Sequence, residues 1–478
     1  MLSIVSCDDF LNTKYYNGID LDGGLNSVSN ISVAANGIYS TVYGRYFLGN
    51  YAVNIGEIAT DLSYWNGDTQ HWDQHYNFTI NPTDTYLYYI WAAGYSILNN
   101  TTRVINAAAE LYDESTEDEQ AELDLCAAES YALRGYASLI LTNVFCHQAK
   151  VNGTDFTSMP GIVIVDKEPI PAFTDVERST IAKSYEAVIS DFDNAIAKFE
   201  AAGGDSQDGR YIGIAATYGL KARANLYLEN WADAIDAADK ALAAGGDPEI
   251  ATTAAAYKAN YAVTGSNTES FFYLAIDEDH NWSANSCGTL WTSYNMSPSP
   301  KLQSLYAATD VRTSIMAMDE KSTPAKPIYD GGKYNCASGN AAEATNYLVN
   351  APEMHLIKAE AYAHQSGKTT EAKAALFNVA KRNTAIASVD DLPGTAAEIL
   401  AFIKDERARE LFQEGLRLWD LRRWGDKVNV CAHNAPAVDW MIKDYQISDM
   451  TYPIPTDEIN SGFGVTQNEG WKSTFPSL

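Results

Sequence analysis

Positive charge is what this chain has least of. Its 478 residues carry 33 Lys and Arg against 62 Asp and Glu, a formal net charge of −29. Such a surface repels phosphates, which excludes nucleic acid as a partner and excludes lying flat on an anionic membrane. Cysteine is scarce too, with six residues and no C-x-x-C pair, so neither a disulfide framework nor a zinc site is expected. No apolar run reaches the roughly 18 residues that a membrane-spanning helix needs. The G-x-S-x-G elbow of serine hydrolases is missing. Gly367-Lys368-Thr369 imitates the end of a phosphate loop. However, Tyr362 stands where the first glycine belongs, and a helix precedes it instead of a strand.

What is present is ample core material and many aromatics. The chain is 46% hydrophobic, with 30 Tyr, 10 Trp and 15 Phe, an ordinary globular composition. Its strong elements read as helices. Asp84–Leu111 forms one, and Ser115, with Asp118 at the capping-box position, opens a second that runs to about Cys146. Thr174-x-x-Glu177 marks another start, followed by Tyr185, Val188, Ile189, Phe192, Ile196 and Phe199 at helical spacing. Ile212–Leu228 with Trp231–Ala244, and Met354–Ser366 with Thr370–Ala385, read as two helical hairpins. They resemble each other: Lys221-Ala222-Arg223-Ala224 matches Lys358-Ala359-Glu360-Ala361, and Ala234 matches Ala372. Small residues at recurrent positions let paired helices approach closely, as in tetratricopeptide-like repeats. The expected fold is therefore all-α: one domain over 8–478, with a scaffold of such hairpins over about 28–252 and 351–425. Residues of about 253–350, rich in Gly, Ser, Asn, Pro and aromatics, read as a loop-rich insertion with a short strand at Phe271–Ile276. Residues 426–478 read as irregular, because Tyr452-Pro453-Ile454-Pro455 prevents helix.

One stretch, Glu406–Gly425, breaks the pattern. Ile399, Phe402, Ile403, Leu411 and Phe412 mark an apolar helical stripe, yet Arg407 and Glu410 fall on it. Charges there are costly unless paired, so both are predicted to be buried against opposite charges. The block R-x-x-E-L-x-x-E-G-x-R-x-x-D-L-R-R-W-G, running from Arg407 to Gly425, resembles the C-terminal signature of the SusD/RagB family. These are surface glycan- and nutrient-binding lipoproteins of Gram-negative bacteria. Further landmarks follow in family order: Gly161-Ile162-Val163-Ile164, Gly209-Arg210, Ser297-Pro298-Ser299-Pro300 with Asp310-Val311-Arg312, and Pro453-Ile454-Pro455 with Thr466-Gln467-Asn468. The resemblance implies four tetratricopeptide-like hairpins with a loop-rich face that binds ligand. It also implies a partner, a TonB-dependent outer-membrane barrel of the SusC type.

The first residues fit that expectation. Ile4-Val5-Ser6-Cys7 has the form of a bacterial lipoprotein cleavage site, with Cys7 as the lipidated residue and Met1–Ser6 as the tail of a signal. Asp8 and Asp9 resemble a surface-export signal, which places the protein on the outer membrane facing outward.

Two loops carry the candidate site. Asp61–Asn77 holds Trp65 and Trp72 with Asp68, and His280–Asn295 holds Trp282, Trp291 and Tyr294. Sugar rings stack apolar C–H faces on aromatic rings while Asn, Asp and Gln take their hydroxyls. At least two of these five aromatics are expected on one exposed platform, with core packing the competing reading for each Trp. His71-x-x-x-His75 has metal-ligand spacing but carries Trp72 where a zincin needs Glu, so it reads as a polar loop pair. Asp277-Glu278-Asp279-His280 reads as a solvated acidic loop; calcium there has no specific motif behind it, and no cofactor is expected. The reading is a glycan-binding lipoprotein without catalysis that passes oligosaccharide to a SusC-type transporter. The alternatives are a peptide- or other nutrient-binding member of the family, and a surface glycosidase. The last requires an acid pair about 5–10 Å apart across a cleft.

Overall fold

The computed structural model describes residues 24–468 apart from 66–68, 293, 319–321, 324–328, 337–339, 432–439 and 448–450. Among these, ten helices of eight residues or more carry the fold: α1 (Val28–Val42), α2 (Thr85–Leu111), α3 (Glu117–Phe145), α4 (Ile181–Ala201), α5 (Ile214–Tyr227), α6 (Trp231–Ala244), α7 (Ala351–Ala363), α8 (Thr369–Ala380), α9 (Ala396–Leu411) and α10 (Arg417–Trp424). The architecture is helical with only short strands. Consecutive helices pack together: α2 on α3, α3 on α4, α5 on α6, α6 on α7 and α7 on α8.

Local chemistry sets the helix starts. Thr116 and Glu119 close a reciprocal capping box at α3, one residue beyond the predicted Ser115 and Asp118. The predicted start at Thr174 is wrong. Thr180 caps α4 by accepting from the Lys183 amide. Residues 161–179 form a loop whose ends pair, Gly161 N donating to Ser179 O and Ser179 N to Ile162 O. Val176 N donates to the Phe463 carbonyl at 2.9 Å, so the stretch after Thr174 pairs with distant chain instead of with itself.

The two matched hairpins are real. Ala222, Ala224, Ala234, Ala359, Ala361 and Ala372 are all fully buried. A side chain larger than methyl at these positions would push the helices apart. Arg223 of α5 grips Glu353 of α7 with two bonds of 2.8 and 2.7 Å, joining the hairpins through their core.

The described residues after 426 correct the expectation of irregular structure. Lys427–Cys431 pairs antiparallel with Trp440–Gln446, and a short helix, Thr456–Ser461, follows. The strand near residue 271 is Ser270–Leu274, paired with Asn346–Asn350. Cys126, Cys146 and Cys287 are free and buried.

The block at α9–α10 is a buried ionic hub. Arg407 holds Asp420 at 2.7 and 3.0 Å. Arg423 holds Asp420 at 2.9 Å and Glu360 of α7 at 2.5 and 2.7 Å. Arg312 reaches Glu406 at 2.8 Å and Glu410 at 2.9 Å while also gripping Asp310. Glu414 takes Lys333, and Arg417 takes Asp61. Arg407 and Glu410 are thus buried and paired, as the charged positions on the stripe require. Gly415, at φ +78°, makes the turn between the helices and comes so close to residue 56 that a Cβ on Gly56 would lie 2.1 Å from the Gly415 carbonyl oxygen. Glu57 seals this contact, its Oε1 accepting from the amides of Gly415 and Leu416 at 2.9 and 3.1 Å.

Candidate functional site: an aromatic rim where two distant loops meet

The two loops singled out from the sequence come together. Ser63, Tyr64 and Trp65 pair antiparallel with Pro298, Ser297 and Met296. Asn295 knits the junction: its Oδ1 accepts from Trp65 Nε1 at 3.2 Å and Thr69 Oγ1 at 2.5 Å, and its Nδ2 donates to the His71 carbonyl at 2.7 Å. Asn50 Nδ2 donates to the Asn285 carbonyl at 2.5 Å and fixes the other end of the second loop. Asp61, which anchors the first loop, is held by Arg417 and Lys301. Burial raises the Asp61 pKa, but these two cations outweigh it and hold the carboxyl well below the usual carboxylate range. The ionic hub therefore sets the position of the site loops.

Most of the predicted platform is core. Trp65 is 8% exposed, Trp72 1% and Trp291 0%, so none of the three offers a face to a ligand. The Trp65 and Trp291 N–H groups are bonded inside the protein, whereas Trp72 Nε1 is buried without a hydrogen-bond partner. Trp291 Nε1 donates to Asn54 Oδ1 at 2.7 Å and the ring stands edge-on to Phe412. Trp72 stacks on Tyr86 with centroids 3.9 Å apart. Its backbone is left-handed at φ +63°, a strained conformation for a bulky residue. Trp282 and Tyr294 are half-buried and present part of each ring to solvent. Asp68 and Cys7 lie outside the described residues.

His71 and His75 do not converge on a metal. His75 is buried and bonded to Asp84, the cap of α2, at 3.2 Å. His71 is half-buried beside Tyr294, with ring centroids 6.1 Å apart. Burial lowers the His71 pKa, so at neutral pH its ring both donates and accepts. Among the described residues no cluster of His, Cys, Asp and Glu could hold a metal ion.

The structure adds aromatics that the sequence reading missed. Tyr46 and Tyr89 stack face to face, with centroids 3.9 Å apart and planes 5° from parallel. Both are half-exposed. Arg45 Nη2 donates to the Tyr46 hydroxyl at 2.7 Å, and that bond lowers the Tyr46 pKa. Tyr51 joins this pair to Tyr86 and Trp72, so the tyrosines and the first loop form one continuous aromatic cluster. A signal was available. Tyr86 and Tyr89 are spaced i, i+3 in the first turn of α2, with Tyr88 beside them, where an amphipathic helix would place polar residues on its outer face.

The arrangement can bind; its surface chemistry is half-exposed rings, a neutral imidazole, a guanidinium and carboxamides. The SusD family model matches residues 57–471. Solved structures share the fold. A SusD superfamily protein from Bacteroides vulgatus has 22% identity and a TM-score of 0.79, covering 94% of this chain and 100% of its own. One from Bacteroides thetaiotaomicron has 21% identity and a TM-score of 0.79, covering 92% and 99%. A SusD-like carbohydrate binding protein from Bacteroides vulgatus has 18% identity and a TM-score of 0.72, covering 95% and 99%. No curated protein matches the chain.

Proposed function

The chain belongs to the SusD family, and from that premise we propose that it is a surface glycan-binding lipoprotein without catalysis of its own. It captures oligosaccharide at the aromatic rim and delivers it to a SusC-type TonB-dependent transporter. Cys7 carries the lipid that holds it to the outer membrane, facing outward. No helix among the described residues is long and apolar enough to cross a membrane, which is consistent with attachment through lipid alone.

The observation that carries the reading is the rim itself. Trp282 and Tyr294 are half-buried where two loops more than 200 residues apart in sequence meet, and the half-exposed stacked pair Tyr46 and Tyr89 joins the first loop through Tyr51 and Trp72. Trp65, Trp72 and Trp291 of the same two loops are buried and pack inside the protein. Losing one stacked face costs roughly 1–3 kcal/mol, by analogy with bases stacked on aromatic side chains. Calorimetric titration of an oligosaccharide panel against wild type, Trp282→Ala, Tyr294→Ala and Tyr89→Ala tests it. At least two variants should weaken binding about ten-fold or more, with unchanged circular dichroism. If the panel binds but all three variants bind like wild type, the site is elsewhere. A Cys7→Ser protein that stays in the membrane fraction would remove the anchor from the proposal.

A further inference from the structure

A groove distinct from the rim is also present. It lies beside it, between α2, the 163–176 loop and residues 455–465, and encloses about 380 Å³. Tyr88, Trp91 and Tyr95 of α2 form one wall, and Phe173 and Phe463 the other. Phe173 is the most exposed large apolar side chain described, at 85%. It also sits at φ +61°. Its only ring contact among the described residues is an edge-on one to Phe463 at 5.8 Å. The exposed ring leaves apolar surface in water, and the left-handed backbone holds it there at a steric cost. An apolar body filling the groove would cover that ring.

The polar lining has one sign. Asp457 and Glu458 edge the groove, and no Lys, Arg or His is among the described residues that line it. Neither carboxylate has a cationic partner among the described residues. Glu458 Oε2 accepts from Trp91 Nε1 at 3.1 Å, which sets the carboxylate against the aromatic floor. Arg178, whose charge reaches Tyr95, spends its donors on Gly161, Pro160, Thr466 and Asn468 and does not line the groove. Aromatic faces and unpaired carboxylates around one cavity both attract a cation, the first through the ring quadrupole and the second directly.

We propose that this groove is a second binding site, for a small organic cation: an ammonium group carried on an apolar body. The body lies between Tyr88 and Phe173, and the ammonium faces Asp457 and Glu458. The site is distinct from the glycan rim, although Tyr88 and Tyr89 are neighbours on α2.

Three probes with one body and three charges test it: phenethylammonium, 2-phenylethanol and phenylacetate. Titrated against the full chain, phenethylammonium should bind in the millimolar range, which is what a ligand of this size can reach. It should bind about five-fold or more tighter than the alcohol, with phenylacetate weakest, and the gap should shrink in high salt. The double variant Asp457→Asn, Glu458→Gln should abolish the preference for the cation, because the carboxamide placed at position 458 still accepts from Trp91 but the charge is gone. Phe173→Ala, at an exposed position that leaves the core alone, should weaken all three probes. Equal binding of the three probes overturns the proposal, as does no binding of phenethylammonium at about 10 mM. Oligosaccharide binding, read on the same variants, should not change. Displacement of phenethylammonium by oligosaccharide would assign the groove to the glycan site, removing this inference while leaving the proposed function standing.

Discussion

Asp420 should be more costly to remove from this protein than its partner Arg407. Asp420 is buried and receives Arg407 at 2.7 and 3.0 Å and Arg423 at 2.9 Å. Arg423 has a second carboxylate, Glu360, at 2.5 and 2.7 Å. Arg407 has no other carboxylate within ion-pair distance among the described residues. Asp420→Asn therefore leaves a buried guanidinium with no acid, a loss of roughly 3–5 kcal/mol. Arg407→Met leaves Asp420 still held by Arg423 and fills most of the vacated volume, so the loss is about 1.5–3 kcal/mol, that of the charge-assisted bonds. Unfolding entropy of about 2.1 cal/mol/K per residue comes to roughly 1 kcal/mol/K for a chain of this length. Differential scanning calorimetry should then show Tm lowered by about 3–5 °C in Asp420→Asn and by about 1.5–3 °C in Arg407→Met. The comparison is valid where calorimetric and van't Hoff enthalpies agree. Equal losses in the two variants would refute the assignment of partners. A loss under about 1 °C in Asp420→Asn would refute the view that the hub is dry.

Glu57 supplies a pH prediction. Burial raises its pKa from 4.5 to about 8, against the pull of the Gly415 and Leu416 amides. Its folded pKa lies above the unfolded one, so its contribution to stability is full below about pH 4.5 and is lost as pH rises through 8. Glu57→Gln keeps the amide contacts and should flatten the fall in Tm between pH 5 and about 8.5; a wild-type slope that persists in the variant contradicts it. Glu129, pushed up to about 7 mainly by burial, contributes to the slope in the same direction and should be tested alongside. Gly56→Ala should fail to fold or lose more than about 3 kcal/mol in a denaturant titration, because backbone cannot retreat from a Cβ placed 2.1 Å from the Gly415 carbonyl. Trp72→Phe should lower stability through its lost stacking on Tyr86, and leave oligosaccharide affinity within about two-fold, as a buried support should; a much larger loss of affinity would make Trp72 a contact.

Local pattern made the helical scaffold legible. Trp231–Ala244 matches the predicted span, and the alanines shared by α5 and α7 are as buried as the repeat implied. Helix periodicity and small-residue spacing are properties of neighbouring residues, so a chain read in order displays them. The charged stripe at Arg407 and Glu410 announced a buried network, because a charge on a core face has no other stable state. The start at Thr174 was misread because a local capping pattern competes with distant partners, and the amides of Val176 and Ser179 bond Phe463 and Ile162 before the helix starts at Thr180. Strand Trp440–Gln446 was missed because its pairing with Lys427–Cys431 crosses a gap in sequence and its register is bulged.

The sequence by itself determined the helical class and the paired charges, and it singled out the two aromatic loops; that these meet is a property of the fold. Tertiary structure decided which aromatics in those loops face water. Trp65 and Trp282 sit in similar polar, Asn-rich loops, yet Asn295 draws the first into the core while the second stays half-exposed. An aromatic ring gains free energy equally well against core or ligand. Its exposure is set by what lies across the junction from it, and that partner comes from more than 200 residues away.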